Sequence, residues 1–439
     1  MFDLPKFGRG PSLARVDALL DACGVDREGL ASRAIVVTGS NGKGSACAFL
    51  TRVAMAAGLR VGTFTSPHLR RPNERLCVNA REIEDEALRS LVAEVSARVA
   101  TLEARLGEGS VGAFEAQLVA AALWFQREGA ELVALEAGIG GRLDPTRLAR
   151  ASVSALTSVD LEHTELLGAT RELIALDKAD ACAPGGVTVH GEGLDDLREL
   201  LSANARLRSV DARFVGRDAR VLDARDDGAG LGFTLETPWG RHEGLRSALH
   251  GRYQASNAAC AAVAFGAWLE RSGRGLHPRD YDRALREGLA AATWPGRLEV
   301  VSQEPLTVVD VGHTPDAVAR AADGLFEAFG RERWLLVTGV SVDKRAEAIV
   351  AALKPRFSRV VCTQAHHKGR DAGELAAMLR DAPGEAELFV EPALEGAARL
   401  AARLARSQGL RVFVVGGLFL AVEFLELARG RDPRALAFL

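Results

Sequence analysis

The sequence predicts a two-domain α/β protein in which parallel sheets are covered by helices on both faces. The chain has 439 residues, more than one hydrophobic core usually serves. A glycine-rich segment, Thr38 to Ser45, stands between an apolar β-forming run and a helix-compatible run. After the turn Trp294-Pro295-Gly296-Arg297, strands and helices alternate afresh, which indicates a second doubly wound sheet. We therefore expect domains at residues 1–295 and 296–439.

In the first domain, apolar periodicity predicts helices alternating with short buried strands. The predicted helices cover residues 12–24, 85–106, 113–128, 170–181 and 254–270. The predicted strands cover residues 35–37, 61–64, 132–135 and 153–157, and the stretch 205–248 is typical of irregular, strand-rich structure. This order favours an open sheet whose loops after the strands carry the ligand site.

In the second domain, the alternation is more regular and predicts a smaller Rossmann-like sheet. The predicted strands lie near 306–311, 334–339, 358–363, 387–390 and 411–415. The predicted helices lie near 316–329, 344–354, 371–380, 393–407 and 419–428. The apolar run Val412–Val422 is too short to span a bilayer, so we interpret it as a buried strand that leads into a helix.

Composition and charge exclude several classes of protein. The net charge of −3, with dispersed charges, gives no general electrostatic reason to bind nucleic acid or an anionic membrane. The first ten residues carry Asp3, Lys6 and Arg9 and lack the apolar core of a signal peptide. The cysteines are scattered singly, which argues against a zinc site or a disulfide framework: Cys23, Cys47, Cys77, Cys182, Cys260 and Cys362. We expect reduced thiols in the cytoplasm.

The segment Thr38-Gly-Ser-Asn-Gly-Lys-Gly-Ser45 is the strongest motif, because strand, glycine loop, Lys, Ser and helix is the order that cradles nucleotide phosphates. Glycines let backbone N–H groups approach phosphate oxygens, Lys43 supplies a positive charge, and the Ser45 hydroxyl suits Mg²⁺. The spacing between Gly39 and Gly42 is shorter than usual. The alternative is a purely structural turn, against which the Lys and Ser argue.

Other polar residues follow predicted strands, where ligands bind in open α/β sheets. Glu136 ends a strand ahead of the glycine cluster 138–141, and it is either a Mg²⁺ ligand or a solvated carboxylate. His163 follows the next strand in an acidic loop, and a lone His is more often packed or exposed than a ligand. Lys178, flanked by Asp177 and Asp180, reads from spacing alone as a solvated helical residue.

The second domain offers a matching set at the junction. Asp310 and His313 follow its first predicted strand, and Arg297 lies in the turn that joins the domains. Each residue is a weak signal by itself. Together they predict a cleft in which a nucleotide is bound between the two domains.

These residues carry a resemblance to the folylpolyglutamate synthase/dihydrofolate synthase family of the Mur ligase superfamily, and it runs almost end to end. The motifs that carry it are Phe7-Gly8-Arg9 with Leu13, Thr38 to Ser45, Thr65-Ser66-Pro67-His68-Leu69 with Glu74-Arg75, Glu136 to Thr146, His163 to Gly168 with Lys178, Gly251 to Gln254 with Asn257, Trp294 to Arg297, Asp310-x-x-His313, and Asp343-Lys344. The resemblance implies a P-loop-type, doubly wound N-terminal ATPase domain and a smaller Rossmann-like C-terminal domain.

The resemblance also implies cofactors and their ligands. ATP would be held by the phosphate-loop residues and the junction: Gly39, Asn41, Gly42, Lys43, Gly44, Ser45, Asn257, Arg297, Asp310 and His313. Ser45 and Glu136 would bind one Mg²⁺, and Glu136, His163 and a carbamylated Lys178 a second, with K⁺ as a further candidate cation. The implied substrate residues are Ser66, Pro67, His68 and Arg75.

The implied reaction is ATP-dependent amide formation. A substrate carboxylate attacks the γ-phosphate, and the amine of L-glutamate then displaces phosphate from the acyl phosphate. Lys43, Arg297 and the metals would neutralise developing charge, with Glu136, His163 and Lys178 as the other catalytic residues. The first reading is a cytoplasmic enzyme that adds L-glutamate to dihydropteroate and to reduced folates. We expect a monomer with small-molecule partners, no nucleic acid and no membrane.

Departures from the family pattern keep other readings open. They are Pro145-Thr146-Arg147, Glu162, Asp177, Thr314 and the segment His366 to Arg370. They favour, as the runner-up, a same-fold amide ligase acting on another carboxylate or amino acid in a specialised pathway. A peptidoglycan ligase is less favoured, since an additional N-terminal domain is expected there and 38 residues precede Gly39. A nucleotide-binding regulator would be expected to lack Ser45, Glu136, His163 and Lys178.

Overall fold

The computed structural model describes residues 1–5, 8–10, 12–275 and 277–436. Phe7, which belongs to one of the motifs above, lies outside these residues. Within the described ranges the chain forms two large sheets, each covered by helices, and a small antiparallel sheet. The α/β class and the doubly wound arrangement expected from the sequence are confirmed. Each described helix is too short or too polar to cross a lipid bilayer.

The first large sheet is mainly parallel. Its strands are β1 (Ala34–Thr38), β2 (Val61–Phe64), β3 (Leu76–Val78), β4 (Arg81–Glu82), β5 (Leu132–Glu136), β6 (Val153–Leu156), β7 (Val187–His190) and β8 (Asp211–Phe214). The order is β4-β3-β2-β5-β1-β6-β7-β8. The six strands β2, β5, β1, β6, β7 and β8 pair in parallel with their neighbours. The two remaining strands, β3 and β4, are antiparallel and form one edge of the sheet.

Helices cover both faces of this sheet and supply its two large apolar clusters. They are α1 (Leu13–Ala22), α2 (Arg27–Arg33), α3 (Lys43–Ala56), α4 (Asp85–Leu106), α5 (Ala113–Arg127), α6 (Thr164–Leu167), α7 (Arg171–Ala179), α8 (Arg198–Leu207), α9 (Tyr253–Arg271) and α10 (Pro278–Ala291). The shorter 3₁₀ turns of this half are Pro72–Arg75, Pro145–Ala149 and Asp195–Leu197. Because every residue of β1 and β5 is buried, the sheet centre is fixed by burial on both faces.

A small antiparallel sheet lies between α8 and α9 in the chain. It consists of β9 (Arg220–Asp226), β10 (Leu231–Thr237) and β11 (Gly240–Ser247), in the order β11-β10-β9. Its apolar residues join the cluster around α3, α9 and α10.

The second large sheet has the order β12-β13-β17-β14-β15-β16. Its strands are β12 (Glu299–Gln303), β13 (Leu306–Val309), β14 (Trp334–Thr338), β15 (Arg359–Cys362), β16 (Glu387–Val390) and β17 (Arg411–Val414). Its helices are α11 (Pro315–Phe329), α12 (Ala346–Leu353), α13 (Ala372–Asp381), α14 (Leu394–Gln408) and α15 (Leu418–Ala428), with 3₁₀ turns at Lys354–Arg356 and Pro433–Ala435. Only the β12–β13 pair is antiparallel among these described strands.

The elements that the sequence did not assign are informative. Residues 278–291 form α10, whose buried face has regular helical spacing and consists of Tyr281, Ala284, Leu285, Gly288 and Leu289, so the helical pattern was present in the sequence. The strands β3, β4 and β12 are two to five residues long and lie at or near sheet edges, where alternation is hard to recognise in sequence. The run Val412–Val422 is confirmed as a buried strand leading into α15.

A buried ion pair ties α1 to α5 below the first sheet. Arg15 Nη2 lies 2.5 Å from Glu115 Oε1, and both side chains are less than a tenth exposed. Glu115→Ala would leave the guanidinium buried without its carboxylate. We therefore expect the free energy of unfolding to fall by about 3 kcal/mol, as measured by urea denaturation.

Glu94→Ala is the matched control, because Glu94 pairs with Arg127 at 2.7 Å on the surface. We expect a change of about 0–1 kcal/mol for this exposed pair. Equal losses in the two variants would contradict the buried role of Glu115.

Candidate nucleotide and ligase site

The phosphate loop connects β1 to α3 and leaves backbone N–H groups at the start of a long helix. Gly42 is the N-cap of α3 and has a φ of +86°, a left-handed conformation that favours glycine. Lys43 Nζ donates to Gly39 O at 2.7 Å, so the ammonium is folded back over the loop. The helix N-terminus, the exposed backbone donors and Lys43 together form a cradle for an anion such as a phosphate.

Close packing makes the glycines of this loop obligatory. An added Cβ would collide with Thr157 Oγ1 at Gly39 and with Asn257 Oδ1 at Gly42, and it would lie 2.6 Å from the Trp294 ring at Gly44. Trp294 belongs to the turn before the second sheet. The loop is therefore packed against three separate parts of the chain, which fixes its shape.

Hydrogen bonds hold the loop against the segment that follows β6. Asn41 N–H donates to Ser158 Oγ at 2.9 Å, and Asn41 Nδ2 donates to Asp160 Oδ2 at 2.8 Å. Ser40 N–H donates to Ser158 O at 2.9 Å. The amide of Asn41 is thereby occupied by the protein itself. Asp160 belongs to the acidic loop noted in the sequence, whereas Ser158, just before that loop, was not recognised there.

Ser45 on α3 and Asn257 on α9 are connected through Gln254. Gln254 Nε2 donates to Ser45 Oγ at 3.3 Å, and Asn257 Nδ2 donates to Gln254 Oε1 at 2.9 Å. All three side chains are buried. Gln254 thus links two predicted site residues that are more than two hundred positions apart in the chain, and its signal in the sequence was its place one turn before Asn257 on α9.

Glu136 ends β5 beside the phosphate loop, because the register pairs it with Val37 of β1. Its carboxylate is buried, and Oε2 accepts the Ser66 N–H at 2.9 Å. Burial raises the pKa of Glu136, while the charges of Lys43, Arg297 and Arg75 and the Ser66 N–H oppose that rise. A carboxylate among positive groups at a strand end suits a cation that also contacts phosphate.

The glycine turn after Glu136 is organised by Asp144. This buried carboxylate accepts N–H groups of Gly138 and Ile139 at 2.9 Å, and both the N–H and the hydroxyl of Thr146. Asp177 accepts the N–H of Gly141 at 2.9 Å from the opposite side. Three departures from the family pattern therefore have structural roles, since Pro145 and Thr146 complete the Asp144 turn and Asp177 supports the glycine cluster.

The predicted substrate residues lie on the loop between β2 and β3. Ser66 and Pro67 lead from Phe64, whose register partner is Leu135, so the loop begins beside Glu136. Arg75 Nε donates to His68 Nδ1 at 2.8 Å, and Arg75 Nη1 donates to Gln117 Oε1 at 2.8 Å. Burial lowers the pKa of Arg75 to about 10 although the nearby carboxylates of Glu136 and Glu74 oppose it. The guanidinium therefore orients the imidazole at this edge of the sheet.

Lys178 is deeply buried in α7, so the prediction from spacing alone, a solvated helical residue, is wrong. Its Nζ donates to Glu162 Oε1 at 2.8 Å. Burial lowers the pKa of Lys178, and the Glu162 carboxylate opposes this effect. His163 is exposed and precedes α6 with a φ of +45°. The sequence expectation paired Lys178 with His163, whereas the contact in the structure is with Glu162, the neighbouring residue.

The junction brings residues of the second sheet toward Glu136. The positive charge of Arg297 acts to lower the pKa of Glu136, at the end of β5, and the pKa values of Asp310 and His313, in the loop after β13. Asp310 is buried and accepts N–H groups of Leu298 at 3.1 Å and Gly312 at 2.7 Å. His313 Nδ1 donates to Val311 O at 3.0 Å, and burial lowers its pKa, which favours a neutral ring. Arg297 is therefore the positive charge shared by both halves of the site.

The donor set fits a hard divalent cation. Ser45 supplies a hydroxyl oxygen and Glu136 a carboxylate, the ligand types that Mg²⁺ prefers together with phosphate oxygens and water. Among the described residues, no three His, Cys, Asp or Glu side chains converge into a metal site by themselves. A cation here would therefore rely on the hydroxyl, the carboxylate and its nucleotide.

Comparisons with known proteins agree with this geometry. Residues 296–418 match the Mur ligase C-terminal family, described as the Mur ligase glutamate ligase domain. The chain is 33% identical to the folylpolyglutamate synthase of Lacticaseibacillus casei, over 87% of this chain and 92% of that protein. It is 31% identical to the dihydrofolate synthase/folylpolyglutamate synthase of Bacillus subtilis, over 80% of each chain.

A longer relative also matches. The chain is 34% identical to the probable bifunctional folylpolyglutamate synthase/dihydropteroate synthase of Halobacterium salinarum, over 100% of this chain and 51% of that protein. This chain therefore spans about half the length of that relative.

Solved structures match over nearly the whole chain. The Mycobacterium tuberculosis folylpolyglutamate synthase complexed with ADP has a TM-score of 0.87 at 28% identity, covering 98% of this chain and 96% of that one. The E. coli FolC in complex with DHPP and ADP has a TM-score of 0.82 at 26% identity, covering 98% and 95%.

Gly42→Ala tests the phosphate loop. The new Cβ would collide with Asn257 and displace the backbone donors that face the anion. We expect binding of a non-hydrolysable ATP analogue to weaken by about tenfold or more, the loss of one or two charge-assisted hydrogen bonds, as measured by calorimetry.

Gly58→Ala is the matched control for this experiment. Gly58 has nearly the same φ, +87°, but nothing lies within 4 Å of an added Cβ. It should show only the backbone strain, a loss of stability of about 1–2 kcal/mol, with unchanged nucleotide affinity. Equal affinity in both variants would refute the role assigned to the loop.

Proposed function

Because the chain belongs to the folylpolyglutamate synthase/dihydrofolate synthase family, we propose that it is an ATP-dependent ligase that adds L-glutamate to dihydropteroate and to reduced folates. The observation that supports this proposal is that Glu136 ends β5 beside the phosphate loop, because its register partner is Val37, and that the charges of Lys43 and Arg297 both act on its carboxylate. An acyl transfer driven by ATP needs an anion cradle, a cation-binding carboxylate and a positive charge at the same point.

We propose that the nucleotide lies between the halves of the chain. Gly39, Gly42, Gly44 and the α3 N-terminus would donate backbone N–H groups to its phosphates. Asn41 would shape the loop around them, because its own N–H and side-chain amide are bonded to Ser158 and Asp160. Lys43 would move from Gly39 O onto the phosphate oxygens, since its ammonium already lies over the loop. Residues that would complete the nucleotide site are Asn257, Arg297, Asp310 and His313.

We propose two Mg²⁺ positions, which the family resemblance implies. Ser45 and Glu136 would hold the first, and Glu136, His163 and Lys178 the second, with K⁺ as an additional cation. Bound Mg²⁺ would neutralise charge on the phosphoryl group during transfer. Lys178 would contribute as a carbamate, which forms when its neutral amine adds to CO₂ and releases a proton. Burial favours that neutral amine, and Glu162 is close enough to orient the product.

The substrate side would be formed by Ser66, Pro67, His68 and Arg75. Its loop begins at the Ser66 N–H bond to Glu136, so an acceptor carboxylate bound there would lie beside the transferred phosphoryl group. Arg297 would stabilise the negative charge that develops during transfer. L-Glutamate would then attack the acyl phosphate through its amine and release phosphate.

The organisation of the chain is part of the same proposal. We place the domain boundary at residue 295, ahead of Arg297, which leaves a nucleotide-binding unit at 1–295 and a ligase unit at 296–439. Closure of these units would exclude water from the acyl phosphate. We further propose that the enzyme acts as a monomer in the cytoplasm.

A same-fold ligase for another carboxylate or amino acid is the alternative, and the segment His366 to Arg370 favours it. Backbone N–H groups of His366 and His367 donate to Glu423 at 2.7 and 2.9 Å, and His366 Nε2 lies 3.3 Å from Glu395. Glu423 has no exposed surface. The segment is thus held in a defined conformation by Glu423, and its sequence differs from the family pattern. Thr314, another departure, caps α11.

The acceptor assay separates these readings. We expect ADP release with ATP, Mg²⁺, K⁺ and L-glutamate to increase when dihydropteroate is added, because the acceptor carboxylate is needed for phosphoryl transfer. Stimulation by tetrahydrofolate would add the polyglutamate activity. If neither acceptor increases ADP release, in a protein that binds ATP, the result would favour the alternative ligase.

Glu136→Gln tests the cation ligand. The amide keeps an acceptor for the Ser66 N–H but loses the charge, so we expect ADP formation to fall by about a hundredfold or more with unchanged folding. Glu131→Gln is the control, because Glu131 is half-exposed just before β5 and accepts the Arg60 N–H. Near-normal turnover of the Glu136 variant would remove that residue from the cation site.

A further inference from the structure

Glu426 on α15 is a buried carboxylate surrounded by three arginines, one from the loop after β2 and two from the stretch that directly follows α15. Its Oε1 lies 3.0 Å from Arg70 Nε and 3.5 Å from Arg429 Nη1, and its Oε2 lies 2.7 Å from Arg431 Nε. The Glu426 side chain is only 5% exposed. Because removal of a carboxylate from such a cluster leaves like charges facing one another, the position of each arginine depends on Glu426.

Arg70 belongs to the substrate-side loop, residues 65–75, which is otherwise held by the first half of the chain. Glu74 accepts the N–H groups of Leu69, Arg70 and Arg71 at 2.7 to 3.1 Å. The neighbouring Leu69 packs against the apolar cluster of the second sheet. The tip of the loop is therefore tied to both halves, and Arg70 makes its ionic contact with the second.

The same cluster continues to the turn that carries Arg297. Arg429 Nη2 lies 2.6 Å from Glu299 Oε1, and Glu299 Oε2 accepts the Gly296 N–H at 2.8 Å. A continuous path of ionic and hydrogen bonds thus runs from Arg70 through Glu426, Arg429 and Glu299 to the residue before Arg297. Its two ends are the substrate-side loop and the junction turn.

We infer that Glu426 and Arg70 are positioning residues that hold the substrate-side loop and the Arg297 turn in one arrangement. This inference rests on the proposed function for its kinetic consequence: an acceptor carboxylate would meet the phosphoryl group only when both ends of the path are in place. The competing explanation is that the cluster only stabilises the end of α15. Under that explanation, Arg70 and Arg431 both only neutralise Glu426, and replacing either one would have the same effect on the loop.

Arg70→Gln and Arg431→Gln distinguish the two explanations. Both arginines pair with the same carboxylate and are about 40% exposed, but Arg431 lies three residues beyond α15 and contacts no loop residue through this pair. Hydrogen–deuterium exchange on the full chain measures the loop directly, whatever the acceptor is. We expect exchange at residues 66–71 to rise about threefold to fivefold in Arg70→Gln, the effect of losing a partly exposed ion pair, and to stay at the wild-type rate in Arg431→Gln.

Two further variants test whether the charge of Arg70 and the carboxylate of Glu426 are responsible for this protection. Arg70→Lys, which keeps the charge, should restore most of the protection of residues 66–71. Glu426→Gln should increase exchange both there and at the peptide containing Gly296. Increases confined to α15, or equal increases at 66–71 in Arg70→Gln and Arg431→Gln, would overturn the inference.

The kinetic arm uses the acceptor that stimulates ADP release. Arg70→Gln should raise the KM for the acceptor about fivefold and leave the KM for ATP unchanged, whereas Arg431→Gln should change neither. An unchanged acceptor KM in Arg70→Gln would overturn the inference. If no folate acceptor is turned over by the wild type, the proposed function fails, and the exchange result still decides whether Glu426 positions the loop.

Discussion

The site depends on one constraint: bare backbone must reach an anion at the end of β1. Gly39, Gly42 and Gly44 meet this constraint because each faces a neighbour that leaves no room for a side chain. The neighbours come from the segment after β6, from α9 and from the junction turn. The loop can therefore keep its shape only when the first sheet, α9 and the junction are all assembled, and so the cradle is a product of the whole first half of the chain.

Buried carboxylates at strand ends extend this principle. Backbone N–H groups of neighbouring turns donate to three of them: Glu136 at the end of β5, Asp144 in the turn that follows β5, and Asp310 directly after β13. Such bonds orient a turn and compensate for burial of the charge. Glu136 differs from the others because the charges of Lys43 and Arg75 act on it in addition to Arg297, which also acts on Asp310. Buried carboxylates therefore serve both in structural turns and at Glu136. The positively charged side chains around Glu136 distinguish it as the candidate cation ligand.

The departures from the family pattern gain a physical meaning in this setting. Thr146 and Asp177 hold the glycine turn, and Thr314 caps α11, so these substitutions preserve geometry. The segment His366 to Arg370 is different, since it is held by a buried Glu423 and presents a distinct set of cationic and imidazole side chains. If the acceptor or amino acid differs from that of the family, we therefore expect this segment, rather than the phosphate loop, to determine the difference.

The sequence by itself determined the α/β class, the phosphate loop and most strands and helices, because apolar periodicity and glycine spacing are local properties of the chain. It also singled out Glu136, Asp310 and Arg297, which follow strands or mark the junction. The tertiary structure decided what Lys178 contacts and placed Gln254 between Ser45 and Asn257. It alone joined Arg70 to Glu426. These partners are brought together by long-range packing, and no local pattern encodes which distant side chain a buried charge will meet.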